Sequence, residues 1–351
     1  MKNEQHTLVI LTPGFPKDEA DSTCLPSQQN FIRAVNINFP GIQIIILSFQ
    51  YPFASTIYNW HGNRVIVFNG RNRGNFFRRL LWARVKKQLK TIYSENKIVG
   101  LLSFWCGECA FIAGGFAKQY NLKHFCWILG QDAKMKNKYV HRVHADGFIS
   151  LSDFIQEEFY KNYGIYARHI IPLGIDVNEF ALAEKQRDID ILAVGSLIPL
   201  KQYGVFLHIT AALKKFFPAI KATLCGGGPE YEKLRLLLKQ LSLQGNIVLT
   251  GETPHAEILD TMQRSRIFLH TSNYEGFGLV CLEALYAGCS VISFVQPMKE
   301  NIEHWYVVKN KEEMLQQCME LLQNKAYNFK RVLPYQINDT ALAVMKLFGC
   351  D

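Results

Sequence analysis

Two short apolar runs, Ile267-Phe268-Leu269-His270 and Ser290-Val291-Ile292-Ser293-Phe294, read as buried strands. Between them the pattern turns helical from about Gly278 and stops at Gly288, a residue suited to the left-handed end of a helix. The result is a strand–loop–helix–strand unit. Its loop, residues 273–278, faces the carboxyl edge where open α/β sheets bind ligands. Glu275 lies in the loop and Glu283 inside the helix, and from Gly276 to Met298 Glu283 is the only charged residue. A lone carboxylate on so apolar a helix is unfavourable by several kcal/mol unless something hydrogen-bonds it. A ligand diol such as that of a ribose would satisfy it. Gly276 and Gly278 leave the backbone bare where the helix begins, so N–H groups and the helix dipole can face an anion such as a diphosphate. The alternative is that Glu283 pairs with a basic residue elsewhere in the chain and Glu275 is a solvated loop acid.

The run E-G-F-G-L-V-C-L-E-A-L-Y-A-G-C-S-V-I resembles the E-x7-E signature of GT-B-fold retaining glycosyltransferases, the large nucleotide-sugar-dependent family 4 group. It fixes two acids, two glycines, the helix and the following strand together. The resemblance implies an α/β protein of GT-B architecture, with two Rossmann-like domains facing each other across a cleft. It also implies transfer of a sugar from a UDP-, GDP- or ADP-sugar to an acceptor hydroxyl, with retention at the anomeric carbon. Glu275 would hold the donor sugar and Glu283 the ribose. Leaving-group charge would be stabilised by Lys201 and by the backbone N–H groups from Phe277 and Gly278 through Leu279 to Val280. No metal is expected, because no cluster of His, Asp and Glu has ligand spacing, and no cofactor is expected beyond the donor.

At 351 residues, 48% hydrophobic and 20% charged, the chain suits two domains. Strands are expected at 42–49, 64–68, 100–104, 124–129, 147–151 and 168–172, alternating with helices, the clearest at 77–95 and 110–120, which indicates a parallel sheet covered on both faces. Ile171-Pro-Leu-Gly-Ile-Asp176-Val-Asn-Glu-Phe180 resembles the family's I-P-N-G-V-D-x-x-x-F segment at the end of its first domain. The expected organisation is an acceptor-binding domain over 1–180, a polar linker at 183–190, a nucleotide-sugar domain over 181–333, and a terminal helix within 334–351 crossing back to the first domain. No run of 18 uncharged apolar residues occurs near the N-terminus, so no signal peptide or membrane span is expected. Nine scattered cysteines, an odd number, suggest reduced thiols in a cytoplasm.

The net charge of +9 calls for an anionic partner. Arg71, Arg73, Arg78, Arg79, Arg84, Lys86, Lys87 and Lys90 are interleaved with Phe76, Phe77, Leu80, Leu81, Trp82, Val85 and Leu89. This basic amphipathic helix suits an anionic membrane surface, such as the inner face of the plasma membrane, contacted through Arg78, Arg79, Arg84, Lys86 and Lys87. The other reading is a surface helix whose apolar stripe packs on its own domain. With the family resemblance, a membrane-side position suggests a glycan or lipid-linked acceptor in lipopolysaccharide, capsule or exopolysaccharide assembly. Nucleic acid fits less well, because aromatics mix with arginines in this one helix alone.

Further positions match the family in part. Gly14 ends the first strand where the family's loop approaches the diphosphate. Gly195 and Lys201 match G-R-L-x-x-x-K-G, with Ser196 in place of the arginine; a lysine point charge without the bidentate fork weakens the diphosphate clamp. Gly226-Gly227-Gly228-Pro229-Glu230 resembles the G-x-G-P-E turn that closes around the nucleotide. Gly130 and Asp132 match H-G-x-D, with Leu129 in place of the histidine that lines the sugar pocket, and Gln131 is a substitute polar contact. Trp105-Cys-Gly-Glu-Cys109 reads in isolation like a thioredoxin redox motif, whose first thiol would be activated at a helix start. In the glycosyltransferase reading the same loop lies at the cleft, with Trp105, Gln131 and Asp132 facing the acceptor. The departures at Leu129 and Ser196 keep a second function open: a GT-B protein that binds sugar nucleotide with weak or no turnover.

Overall fold

Alternating apolar runs and amphipathic segments build two α/β units in the computed structural model, which describes residues 3–324 and 329–350. The first unit comprises Met1–Gly174 and Ile337–Asp351, the second Ile175–Gln336.

The first unit contains strands β1 (Asn3–Gly14), β2 (Ile42–Tyr51), β3 (Ile57–Trp60), β4 (Asn63–Val67), β5 (Asn96–Phe104), β6 (His124–Ile128), β7 (Gly147–Ser150) and β8 (His169–Ile170). Its helices are α1 (Pro26–Asn38), α2 (Asn75–Glu95), α3 (Glu108–Tyr120) and α4 (Asp153–Tyr163). The sheet runs β3-β4-β2-β1-β5-β6-β7-β8, parallel except for the β3–β4 pair. Leu8, Val9, Ile10 and Leu11 are fully buried in succession, as expected of a central strand covered on both faces. Helix α2 puts Leu81, Val85, Leu89 and Ile92 into the core against Phe49 and Phe68. Its apolar stripe from Leu81 to Ile92 therefore packs on its own domain, as the second of the two readings has it. Only its first turns stay apolar and exposed, at Phe76, Phe77 and Leu80.

The second unit contains β9 (Ile189–Val194), β10 (Ala222–Cys225), β11 (Ile247–Gly251), β12 (Ser265–His270), β13 (Ser290–Ser293) and β14 (Trp305–Val307), with helices α5 (Tyr203–Lys214), α6 (Tyr231–Gln240), α7 (His255–Gln263), α8 (Leu279–Tyr286) and α9 (Lys311–Gln323). The sheet is parallel throughout, in the order β11-β10-β9-β12-β13-β14. The chain leaves β9 toward β10 on one side and returns to β12 on the other, so the order reverses between β9 and β12. That reversal opens a crevice at the carboxyl ends of the two strands. Helix α8 ends at Gly288, whose φ of +90° suits glycine. Arg187 caps the same end, donating to the Ala287 carbonyl at 2.6 Å. The 183–190 run is thus tied into the unit: Arg264 donates to Asp188 at 2.9 Å as well.

The last helix, α10 (Ile337–Leu347), packs on α1 within the first unit. Asn38 donates to Asn338 at 3.0 Å, and Thr340 donates to the Pro172 carbonyl at 2.8 Å. Phe348 packs edge-on against Phe125, with 5.1 Å between centroids. The first unit gives way to the second at Gly174, a few residues before 180. Ile175 donates to the Tyr335 carbonyl at 3.1 Å, and Phe180 packs on Tyr286 at 4.8 Å between ring centroids, so residues 175–180 belong to the second core.

Candidate functional site

The switch point of the second sheet gathers the charged groups. Lys201 follows β9 in a short 3-10 turn, Pro199–Lys201, and Glu275 follows β12 in the loop before α8. Lys201 Nζ lies 2.9 Å from Glu275 Oε2, and both side chains are 19% exposed. His270, the last residue of β12, donates from Nε2 to the same oxygen at 3.0 Å. Thr271 Oγ1 donates to the Lys201 carbonyl at 2.6 Å and pins the turn to the strand end. Burial raises the pKa of the Glu275 carboxyl, but the His270 hydrogen bond and the Lys201 charge outweigh it and hold the group well below the ordinary carboxylate range. Glu275 is therefore an ionised, oriented carboxylate, not the solvated loop acid of the alternative reading.

The loops beside this pair are closed by backbone contacts that only glycine permits. A Cβ on Gly226 would stand 2.0 Å from the Gly195 carbonyl oxygen, and one on Gly228 2.7 Å from that of Leu197. Gly195 N–H donates to Cys225 O at 3.0 Å and Leu197 N–H to Gly227 O at 2.8 Å. Gly195, Gly227 and Gly228 thus lie together at the sheet edge, with Ser196 and Pro229 exposed there. Gly278 starts α8 at φ +77°, and its carbonyl accepts from Cys281 N–H at 2.8 Å. The first amides of that helix, at Leu279 and Val280, have no partner inside it and point out from its N-terminus, beside Phe277.

Glu283 sits one turn into α8 and is 8% exposed. Its Oε1 accepts from His255 Nε2 at 2.9 Å, and the other ring nitrogen of His255 lies 3.7 Å from Glu179. The carboxylate that the sequence leaves alone on an apolar helix is thus satisfied by a histidine, from the start of α7, and not by an arginine or lysine. His255, Glu179 and His270 all escape sequence reasoning, since each is separated in the chain from the acid it faces or hidden at a strand end. Two buried polar atoms beside the cluster, His270 Nδ1 and Ser272 Oγ, have no hydrogen-bond partner among the described residues. A buried polar atom without a partner is unfavourable by about 1–3 kcal/mol. A cavity of about 550 Å³ bordered by Gln202, Asn273 and Phe294 opens beside the same loops.

The sites expected in the first unit fare differently. Gly14 and Trp105 end or follow the adjacent strands β1 and β5, at that sheet's own reversal point. Gln131 is exposed on the turn after β6. Asp132 is 6% exposed and brackets its own turn, accepting from Leu129 N–H at 3.0 Å and from Asn137 at 3.3 Å. In this placement Asp132 shapes the turn that carries Gln131. Cys106 and Cys109 are unpaired and buried, and burial, with the Glu108 charge, pushes the Cys109 thiol well up. Cys106, the thiol that would have to attack, is only 1% exposed, and a thiol exchange site needs an accessible sulfur, which argues against the thioredoxin-like reading. Among the described residues no group of three or more His, Cys, Asp or Glu is placed to hold a metal ion, and no helix is long and apolar enough to cross a membrane.

Residues 175–332 match the family described as glycosyl transferases group 1. The chain has the GT-B fold of two Rossmann-like units, and the match to that family lies in its second unit. Among curated relatives, a phosphatidylinositol N-acetylglucosaminyltransferase of Arabidopsis thaliana is 24% identical over 127 residues, 35% of this chain and 28% of that protein. An uncharacterized glycosyltransferase of Haemophilus influenzae is 26% identical over 58% of this chain and 61% of its own length. The aligned part thus spans less than two thirds of either relative. Among solved structures, sucrose-phosphate synthase from Thermosynechococcus elongatus superposes with a TM-score of 0.73 at 16% identity, over 99% of this chain and 98% of that one. HepE of Anabaena, solved with UDP and glucose, has a TM-score of 0.68 at 15% identity, over 97% and 95% of the two chains.

Proposed function

We propose that this protein transfers a sugar from a nucleotide diphosphate sugar to an acceptor hydroxyl, with retention at the anomeric carbon, in the assembly of a cell-surface glycan. The observation that carries the reading is the Lys201–Glu275–His270 cluster at the switch point of a group 1 domain. Lys201 places a positive charge where the diphosphate leaves, and Glu275, held ionised, accepts hydrogen bonds from donor-sugar hydroxyls. The Leu279 and Val280 amides face the phosphates. Glu283 engages the ribose with the oxygen that His255 leaves available, which makes His255 a positioning residue. HepE, a structural neighbour, was solved with UDP, and the Arabidopsis relative is named for phosphatidylinositol; both agree with this donor class and a lipid-linked acceptor.

The second reading, a sugar-nucleotide-binding protein of weak or no turnover, draws on Leu129 and Ser196, which replace a histidine and an arginine of the family pattern. One experiment separates the two. The protein is screened by thermal shift against UDP-, GDP-, ADP- and CMP-sugars, and the stabilising donor is then assayed for hydrolysis and transfer. One diphosphate donor is expected to raise the melting temperature by several degrees and to turn over, with loss of turnover in Glu275→Gln. Stabilisation without turnover would establish the second reading. No shift with any donor would defeat both.

A further inference from the structure

The net positive charge of this chain is accounted for by one segment. Residues 22–94 hold ten Lys or Arg and no Asp or Glu, so the rest of the chain carries a formal net charge of −1 against +9 for the whole. The same segment carries the start of α2, where Phe76, Phe77 and Leu80 are 66%, 57% and 46% exposed, and the turn after β2, where Phe53 is 58% exposed. Arginines join these side chains into one surface. The Arg73 guanidinium lies 5.5 Å from the Phe77 ring centre and that of Arg71 5.5 Å from the Phe53 ring centre. Arg71 also donates to the Phe53 carbonyl at 3.0 Å, and Arg73 N–H donates to Gly70 O at 3.1 Å, which closes the turn between the two arginines. Phe76 and Phe77 meet edge to face at 6.1 Å. Arg79, on the next turn of the helix, is exposed.

Large apolar groups exposed together are unfavourable in water and are relieved only against an apolar phase. Cations around them require that phase to be edged with anions. Nucleic acid supplies anions and stacking bases, but Leu80 has no ring to stack and the Phe77 face is already covered by Arg73. An anionic lipid surface meets both demands, with acyl chains for the apolar groups and headgroups for the arginines. We infer that the start of α2 and the neighbouring turn dock the first unit on an anionic membrane. Phe53, Phe76, Phe77 and Leu80 enter the headgroup–acyl boundary, and Arg71, Arg73 and Arg79 contact the phosphates. The rest of α2 takes no part, because Leu81, Val85, Leu89 and Ile92 are committed to the core.

The test is flotation of the full chain with phosphatidylcholine vesicles, with and without phosphatidylglycerol, in the absence of any nucleotide. Its failure therefore leaves the donor-site reading untouched. Binding is expected only with phosphatidylglycerol and is expected to weaken as salt shortens the Debye length. The double variant Phe76→Ser/Phe77→Ser should lower partitioning by about tenfold or more. Arg73→Gln/Arg79→Gln should lower it by roughly fivefold for each charge removed. Both pairs lie on the surface, so melting temperatures should match the parent, and Phe216→Ser, exposed on the second unit, serves as a control that leaves partitioning unchanged. Absence of binding to anionic vesicles, or binding indifferent to the Phe76/Phe77 pair, would overturn the inference. Preference for a short RNA over the vesicles would overturn it too.

Discussion

At the scale of single residues, two carboxylates, Glu275 partly and Asp132 almost wholly buried, are driven in opposite directions. Glu275 is pushed up by burial but pulled further down by His270 and Lys201, so its folded pKa lies below its unfolded one. The stabilisation it supplies is then fully present above the ordinary carboxylate value, about 4.3, and is lost as pH falls through the lowered folded value. Glu275→Gln should reduce the unfolding free energy by about 1–3 kcal/mol at neutral pH, with the gap to the parent narrowing in acid, as read by urea denaturation across pH. Asp132 behaves the other way. Burial raises it to about 6 against the hydrogen bonds that lower it, so its contribution is fully present below the ordinary aspartate value and is lost as pH rises through about 6. Asp132→Asn should therefore destabilise more at pH 5 than at pH 8 in the same denaturation series. His255→Ala should weaken nucleotide binding by about tenfold, near 1.4 kcal/mol, with His255→Gln recovering part of it in a calorimetric titration. The two glutamates of the site could be read from the sequence because they interrupt an apolar run. Their histidine partners could not: His255 lies 28 residues from Glu283, and His270, five residues before Glu275, reads only as the end of a buried strand.

At the scale of elements, the glycine turns are the most demanding feature. Gly226 and Gly228 have φ of +149° and +151°, and a Cβ on either would collide with the backbone of residues 195–197. Gly226→Ala and Gly228→Ala should each destabilise by about 3 kcal/mol or more, whereas Gly245→Ala, which meets nothing within 4 Å, should be near neutral by thermal denaturation. Long periodic helices were legible from the sequence: most of α2 and α3 falls where hydrophobic spacing puts it. Shorter elements were less so. Helix α4 carries a Ser152 cap and a left-handed Gly164, signals that could have located it. Strand β3 has just four residues and buries only Trp60 fully, too little for an alternating pattern to emerge. The basic helix shows the limit most clearly. Its composition suits either a membrane or a core, and only the fold reveals that the stripe from Leu81 to Ile92 goes inward while the turn before it stays exposed.

At the scale of the molecule, the chain consists of two parallel-sheet units whose charge and chemistry are divided between them. The first holds the cationic segment, and the second holds the paired carboxylates. The GT-B class was legible because strand and helix alternate through nearly the whole sequence and the E-x7-E run fixes one loop. The handover near Gly174 was legible to within a few residues. Its position follows from side-chain packing of Phe180 on Tyr286, across a separation that local pattern does not reveal. The account rests on α8 and the loop before it serving as the nucleotide and diphosphate seat. The direct measurement is calorimetric titration of UDP, GDP, ADP and CMP into the parent protein and into Glu283→Ala. One diphosphate nucleotide should bind the parent and bind the folded variant at least about tenfold more weakly. Binding of the same nucleotide equally well to both proteins, or to neither, would contradict the account.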